Sequence, residues 1–125
     1  LLAVMWANRL MSRNVPVLFI STSTLCLFVS TTLYADSTKQ LIHNAKTIPV
    51  LILDDIESER TKNDLWTMVL FDIVNTRYNN GLATIATTNE PDRIDSRVLR
   101  RLQHNAHVFI MKQNLSISYK KVENA

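Results

Sequence analysis

Short runs of adjacent apolar residues alternate along this 125-residue chain with longer stretches in which apolar residues recur every three or four positions. The runs cover residues 17–20, 50–53, 83–89 and 108–111, and the third of them ends in polar residues. A run without polar alternation is typical of a strand that is covered on both faces, as in a parallel sheet. The alternation of strand and helix patterns therefore predicts a parallel sheet flanked by helices.

Helical spacing of apolar residues marks the segments between these runs. The predicted helices cover residues 1–10, 22–33, 37–45, 61–78 and 97–104. Thr61 and Asp64 have nearly the spacing of a capping box and would start the fourth helix. Gly81, the only glycine in the sequence, follows Asn79 and Asn80, where a left-handed helix cap is expected.

The first predicted helix is already under way at residue 1. Its apolar residues are expected to face the core: Leu1, Leu2, Met5, Trp6 and Leu10. The chain begins with leucine rather than methionine, and no capping residue precedes the helix. We therefore expect that sequence upstream of Leu1 is missing.

Residues 15–34 carry no charge, and this stretch is about as long as a membrane-spanning helix. Two Ser/Thr clusters and Pro16 interrupt it, so a short strand followed by a helix from about Thr22 is the alternative interpretation. Serine and threonine accept the free N–H groups at a helix start, which favours that second interpretation. A single cysteine, Cys26, cannot form an internal disulfide, so a cytoplasmic location is expected.

The composition is that of one globular domain, because no linker or change in composition divides residues 1–125. The net charge is only +3, but seven of the fourteen basic residues lie from Arg93 onward. A basic end of this kind can contact nucleic acid or a nucleotide phosphate, although a solvated surface is the commoner cause.

Two carboxylates follow the most apolar run directly. Asp54 and Asp55 would stand at the carboxyl end of a buried strand, where parallel sheets bind ligands. Such acids can hold Mg²⁺ and orient a water molecule for attack on a phosphate, or they can simply face solvent. Asn89 ends the next run and would stand beside them if the two strands are neighbours, although asparagine is also a common turn residue.

Three segments resemble the DnaC/DnaI helicase loaders and the related IstB transposition ATPases in order and spacing. They are Val50-Leu51-Ile52-Leu53-Asp54-Asp55-Ile56, Arg77-Tyr78-Asn79-Asn80-Gly81 and Thr84-Ile85-Ala86-Thr87-Thr88-Asn89. The resemblance implies a three-layer α/β fold of the AAA+ P-loop NTPase type. It also implies that residues 1–125 are the part of an ATPase domain that follows the phosphate-binding loop, without the first strand.

The same resemblance implies roles for single residues. Asp54 would serve Mg²⁺ in a Walker B motif, Asp55 would polarise the attacking water, and Asn89 would sense the terminal phosphate of ATP. Arg101 matches an arginine finger, which would act on the nucleotide of a neighbouring subunit. Lys120 replaces the nucleotide-sensing arginine of a closing Ser-Tyr-Arg, keeping the charge but losing the bidentate fork.

The expected function is ATP-dependent loading of a replicative helicase onto single-stranded DNA by a homo-oligomer, with Arg77 as a candidate DNA contact. The alternative for Arg77 is a local role, because the dipole of a helix favours a cation at its C-terminal end. An IstB-like ATPase that assists a transposase is one alternative, and a non-catalytic truncated remnant is another. The sequence contains no G-x-x-x-x-G-K-[ST] motif, so weak or absent ATP binding by these 125 residues is expected.

Overall fold

The computed structural model describes residues 2–56, 64–111 and 117–123. The helices are α1 (Leu2–Ser12), α2 (Thr22–Thr32), α3 (Asp36–Thr47), α4 (Asp64–Asn79) and α5 (Ser96–Gln103). The strands are β1 (Val17–Ser21), β2 (Val50–Asp54), β3 (Ala83–Ala86), β4 (Ala106–Met111) and β5 (Ile117–Val122). A short 3₁₀ turn at Pro91–Arg93 precedes α5. Thr61 and its expected capping role lie outside the described residues.

Strands β1, β2 and β3 form a parallel sheet in that spatial order. Leu18 pairs with Leu51 and Ile20 with Leu53, and Leu51 in turn pairs with Thr84. The first four residues of β2 are buried, as expected for a central strand covered on both faces. The predicted parallel sheet flanked by helices is confirmed.

Alternate residues of β2 face two separate apolar layers. Leu51 and Leu53 belong to a large core built mainly with residues of α2, α3, α4 and α5. Val50 and Ile52 belong to a smaller core that includes Ala3 and Ala7 of α1. The sheet is therefore the middle of three layers.

The uncharged stretch 15–34 contains β1 and the whole of α2, so its interpretation as a strand followed by a helix is confirmed. The Ser21 hydroxyl caps α2 by accepting a hydrogen bond from the Thr24 amide at 3.2 Å. Within the described residues, no helix combines the length and apolar character needed to cross a membrane.

Helix α1 packs on a face that the apolar spacing did not predict. Its buried residues are Ala3 and Ala7, whereas several larger ones are exposed: Leu2, Val4, Met5, Trp6 and Met11. Alanines four positions apart lie on one face of a helix and let its backbone approach the bulky residues of β1 and β2 closely. The expectation that Leu2, Met5 and Trp6 face the core is therefore wrong.

The last predicted strand exists, but not in the parallel sheet. β4 pairs antiparallel with β5 in a separate two-stranded sheet, with Phe109 opposite Tyr119. Helix α5 packs against β4. β5 was not predicted because its sequence, Ile-Ser-Tyr-Lys-Lys-Val, has no continuous apolar run and almost all of it is exposed.

Candidate functional site

The end of β2 places two carboxylates at the carboxyl edge of the parallel sheet. Asp54 is its last residue and is half-buried, whereas Asp55 is exposed. Asp55 has a φ of 59°, in the left-handed region, which aspartate tolerates better than most residues do. The backbone therefore turns sharply between the two acids.

The side chain of Thr87, just beyond β3, joins both acids. Its Oγ1 donates to Asp54 Oδ1 at 2.7 Å and accepts from the Asp55 amide nitrogen at 2.8 Å. The Thr87 amide also donates to the Leu53 carbonyl, which continues the pairing of β2 with β3. Sequence reasoning missed this role, since threonine is also an ordinary strand residue.

Two further threonine hydroxyls hold the turn after β2. Thr22 Oγ1, at the start of α2, donates to the Asp55 carbonyl oxygen at 2.7 Å. Thr88 Oγ1 donates to the Ile56 carbonyl oxygen at 2.6 Å. The Ile56 amide completes the set by donating to the Thr87 carbonyl at 2.7 Å. The ends of all three parallel strands therefore meet at this turn.

Asn89 lies at the same end of the sheet but beyond this hydrogen-bonded group. It is exposed, and within the described residues no hydrogen bond joins its side chain to Asp54 or Asp55. The structure thus brings Thr87, rather than Asn89, into contact with the Asp54 carboxylate and the Asp55 amide. An exposed amide remains available to a ligand at this edge.

Arg101 of α5 is held against α4. Its Nε donates to Asn75 Oδ1 at 2.6 Å, and its Nη1 donates to the Arg97 carbonyl at 3.0 Å. The guanidinium carbon lies 4.7 Å from the centroid of the Phe71 ring, a cation–π distance. Within this chain Arg101 therefore contacts α4 and not the two acids.

Lys120 lies on β5, opposite Val108 of β4, and its side chain is exposed. It belongs to the two-stranded sheet, whereas the acids belong to the parallel sheet. No contact between Lys120 and either acid joins the two sheets in the described residues.

Arg77 is not a surface residue: none of it is exposed to solvent. Its guanidinium donates five hydrogen bonds, to Thr84 Oγ1 and to the main-chain oxygens of Ala45, Ile48, Pro49 and Ala83. Burial lowers the pKa of Arg77 to about 10, so the group stays charged at neutral pH. The expectation that Arg77 contacts single-stranded DNA is wrong, because the side chain ties together the amino ends of β2 and β3 inside the protein.

Residues 1–110 match the sequence model of the ATPase family associated with various cellular activities (AAA). The chain belongs to this family. Among curated proteins, none matches the chain. The family assignment agrees with the parallel sheet, the flanking helices and the acids at its carboxyl edge.

Solved structures of two replication proteins have a similar fold to this AAA chain. AMPPCP-bound DnaA from Aquifex aeolicus has 22% identity and a TM-score of 0.63 over 76% of this chain and 31% of its own. The replication initiator DnaA bound to AMPPCP and single-stranded DNA has 21% identity and a TM-score of 0.62, over 75% and 30%. The DnaC helicase loader has 25% identity and a TM-score of 0.55 over 66% and 54%. The chain therefore spans about a third of DnaA and about half of DnaC.

The donor set at the acidic edge fits Mg²⁺ in chemical terms. Mg²⁺ prefers oxygen ligands and is usually held by one or two carboxylates together with substrate phosphates and water. Asp54 supplies such a carboxylate, and Thr87 occupies only one of its two oxygens. Within the described residues no group of three or more metal-binding side chains occurs.

The phosphates of a nucleotide fit less well. Phosphate-binding loops use successive glycines so that backbone N–H groups can surround the anion. The only glycine here is Gly81, which ends α4 with a φ of 65° and whose amide donates to the Tyr78 carbonyl. These 125 residues therefore place two acids at the carboxyl edge of the sheet and contain no glycine-rich phosphate-binding motif.

Proposed function

We propose that this chain is part of an AAA+ ATPase that uses ATP and Mg²⁺ to load a replicative helicase onto single-stranded DNA. The observation that carries the proposal is the hydrogen-bonded group of Asp54, Asp55 and Thr87 at the carboxyl edge of an AAA-type sheet. The proposal includes the assignment of residues 1–125 to the part of the domain that follows the phosphate-binding loop.

In this proposal Asp54 holds Mg²⁺ as the Walker B carboxylate, and Asp55 orients the water that attacks the terminal phosphate. Bound Mg²⁺ would offset the negative charge of the phosphates. Asn89, exposed at the same edge, senses the terminal phosphate. The hydrogen bond from the Thr87 hydroxyl to Asp54 Oδ1 keeps the metal-binding carboxylate in one orientation.

The course of α1 is consistent with a phosphate-binding loop immediately before it. The backbone turns at residues 13–16, where the Val15 amide donates to the Leu10 carbonyl, and the chain then enters β1. Eleven helical residues and five strand residues each span about 16 Å. The N-terminal end of α1 therefore reaches the level of Asp54, which is where the proposal places the phosphate-binding loop.

In this proposal Arg101 would act on the nucleotide of a neighbouring subunit, and Lys120 would sense the nucleotide. For Arg101 to reach a neighbouring nucleotide as an arginine finger, its guanidinium must leave Phe71 and Asn75. Lys120 is already exposed and needs no such change. Assembly into a homo-oligomer would therefore be coupled to a local rearrangement at α5.

Similarity to the DnaC helicase loader and to DnaA favours a replication role over assistance to a transposase. The replicative helicase and single-stranded DNA are the proposed partners. Because Arg77 is buried, other basic residues would contact the phosphate backbone of the DNA. The candidates are the exposed ones of the C-terminal part: Arg93, Arg97, Arg100, Lys120 and Lys121. Non-specific contacts of this kind weaken with added salt.

A non-catalytic remnant is the second candidate, and the sequence itself favours it in one respect. No G-x-x-x-x-G-K-[ST] occurs in the 125 residues, so ATP-dependent work would need that loop from elsewhere. In this alternative the chain acts as an interaction module without ATP turnover.

Reading the gene upstream of the Leu1 codon separates the two candidates. An in-frame Gly-x-x-Gly-x-Gly-Lys-Ser/Thr motif supports the ATPase, and an in-frame stop codon supports the remnant. If the motif is present, the longer protein should hydrolyse ATP, and Asp55→Asn should abolish turnover while leaving ATP binding within about twofold.

The loading step needs its own measurement. The longer protein and its cognate replicative helicase should form a complex, and ATP should change the amount of helicase retained on a single-stranded oligonucleotide. The loader assignment would be refuted if the protein stimulated a transposase while ATP left the amount of helicase on the oligonucleotide unchanged.

A further inference from the structure

The turn after β2 holds a non-glycine residue in a left-handed conformation by both of its peptide groups. The Asp55 amide donates to Thr87 Oγ1, and the Asp55 carbonyl accepts from Thr22 Oγ1. Residues in this region of φ and ψ are strained and persist where neighbouring groups fix them. Here the two fixing hydroxyls come from different elements, one from the start of α2 and one from the end of β3.

We propose that Thr87 is a positioning residue, which sets the directions of the Asp54 and Asp55 side chains through one hydroxyl, with Thr22 holding the opposite side of the Asp55 peptide. The inference deepens the proposed function and rests on it for the role of Mg²⁺. Thr87 is not proposed to touch the nucleotide or the metal.

The chemistry of a hydroxyl group suits this position. It has one hydrogen to donate and lone pairs to accept, and Thr87 uses both on neighbouring acids. Valine has nearly the same shape but can do neither, whereas serine keeps the hydroxyl and loses only a methyl group. The pair of substitutions therefore separates the hydrogen bonds of Thr87 from its packing.

The same contact restricts how Asp54 can bind a cation. Thr87 holds Oδ1, so Oδ2 is the oxygen left for Mg²⁺, directly or through water. Without the hydroxyl the carboxylate can rotate and both oxygens become equivalent. Loss of hydrogen-bond partners of metal ligands commonly weakens metal binding by about 10- to 100-fold.

The first test needs no metal. In the full 125-residue chain, hydrogen exchange of the Asp55 amide is followed by NMR for the wild type, Thr87→Val, Thr87→Ser and the control Thr31→Val, which removes a threonine hydroxyl that bonds only within α2. Exchange should be about tenfold faster in Thr87→Val and within about twofold of wild type in the other two. The amide signals of β2 and β3 show that each variant is folded.

The second test uses Mn²⁺ as a paramagnetic substitute for Mg²⁺. Selective broadening of signals at the ends of β2 and β3, lost in Asp54→Asn, defines the site. The apparent Mn²⁺ affinity should fall about tenfold in Thr87→Val and recover in Thr87→Ser. If Thr87→Val does not fold, Thr87→Ala replaces it, because it also lacks the hydroxyl that bonds Asp54, and the same direction of change is expected.

The outcomes separate this inference from the proposed function. Unchanged Asp55 exchange in Thr87→Val, an equal effect of Thr31→Val, or failure of Thr87→Ser to restore protection overturns the inference. A different outcome is faster Asp55 exchange in Thr87→Val together with no site-specific Mn²⁺ broadening in the wild type. It supports the positioning of Asp55 by Thr87 and counts against the magnesium role of Asp54.

Discussion

At the scale of single residues, Arg77 has a structural role. Four of its hydrogen-bond acceptors are main-chain oxygens from three places: the end of α3, the segment entering β2 and the start of β3. None of the five acceptors is an acidic side chain, so within the described residues the charge is stabilised by the dipoles of carbonyl and hydroxyl groups. An arginine can do this because its fork carries five N–H donors in a fixed plane.

Replacing Arg77 should lower the free energy of unfolding even when the positive charge is kept, because its hydrogen bonds are lost. Arg77→Lys keeps the charge but offers only three donors, so we expect the free energy of unfolding to fall by about 2 kcal/mol. Arg77→Met leaves the carbonyl oxygens without these hydrogen-bond donors, so it should lower the free energy of unfolding by about 3 kcal/mol or more. Urea unfolding followed by circular dichroism measures both.

Arg100→Lys is the control for Arg77, because Arg100 lies on an exposed position of α5. It should change the unfolding free energy by less than about 0.5 kcal/mol. Equal stability of Arg77→Lys and wild type would contradict the structural role.

At the scale of secondary structure, α5 depends on its first residues. Asp95 caps it by accepting from the Arg97 amide at 2.9 Å. The side chain of Arg97 also donates to the same carboxylate through Nε and Nη2, each at 3.2 Å. The hydrogen bond from the Arg97 side chain holds the pKa of Asp95 below its ordinary value. The ionised carboxylate therefore stabilises the start of the helix.

Asp95→Ala should lower the unfolding free energy by about 1 kcal/mol at pH 7, the usual cost of a lost cap. A folded-state pKa below the unfolded value means that the ionised cap stabilises above about pH 4, and that this part is lost as the pH falls further. Asn can cap at any pH, so the stability difference between wild type and Asp95→Asn should shrink from pH 6 to pH 3. Urea unfolding at both values tests this, and a constant difference would contradict it.

The elements differ in how far their sequences predicted them. The strands β1, β2 and β3 and the helices between them follow from continuous apolar runs and helical spacing. The pattern is strongest for β2, whose residues are almost all buried, whereas β1 and β3 are only partly buried. β5 leaves none, since Ser118, Lys120 and Lys121 interrupt its apolar residues and it pairs with β4 at the surface. The outward face of α1 was also not predictable, since it depends on the shape of the sheet under Ala3 and Ala7.

Only some residues of the candidate site could be predicted from the sequence. Asp54 and Asp55 stand out because charge follows a buried strand directly. Thr87 does not stand out, because its role depends on the register between β2 and β3. Burial of Arg77 likewise depends on carbonyl groups up to 32 positions away in the sequence.

At the scale of the whole molecule, the described residues form a three-layer unit with β1 and β3 at its sheet edges, and a separate two-stranded sheet. An unpaired edge strand presents free N–H and C=O groups and can pair with other chains. The carboxylates lie at the end of this unit, and no glycine-rich loop occurs in its sequence. Charge repulsion between the acids and a polyphosphate is therefore not offset by a phosphate cradle.

We accordingly expect the 125-residue polypeptide to bind ATP weakly or not at all, even with Mg²⁺. Fluorescence anisotropy of a labelled ATP analogue measures this, and a longer protein with an upstream phosphate-binding loop, if the gene encodes one, is the matched comparison. Micromolar binding by the 125 residues alone would contradict the expectation.

The two tryptophans lie in opposite environments as a result of how α1 packs. Trp6, on the outer side of α1, is 45% exposed, whereas Trp66 on α4 is 3% exposed. The intrinsic fluorescence of the protein should thus have two components, of which iodide quenches only that of Trp6. A change confined to the quenchable component then reports events on the outer surface of α1, and loss of the protected component reports disruption of the core.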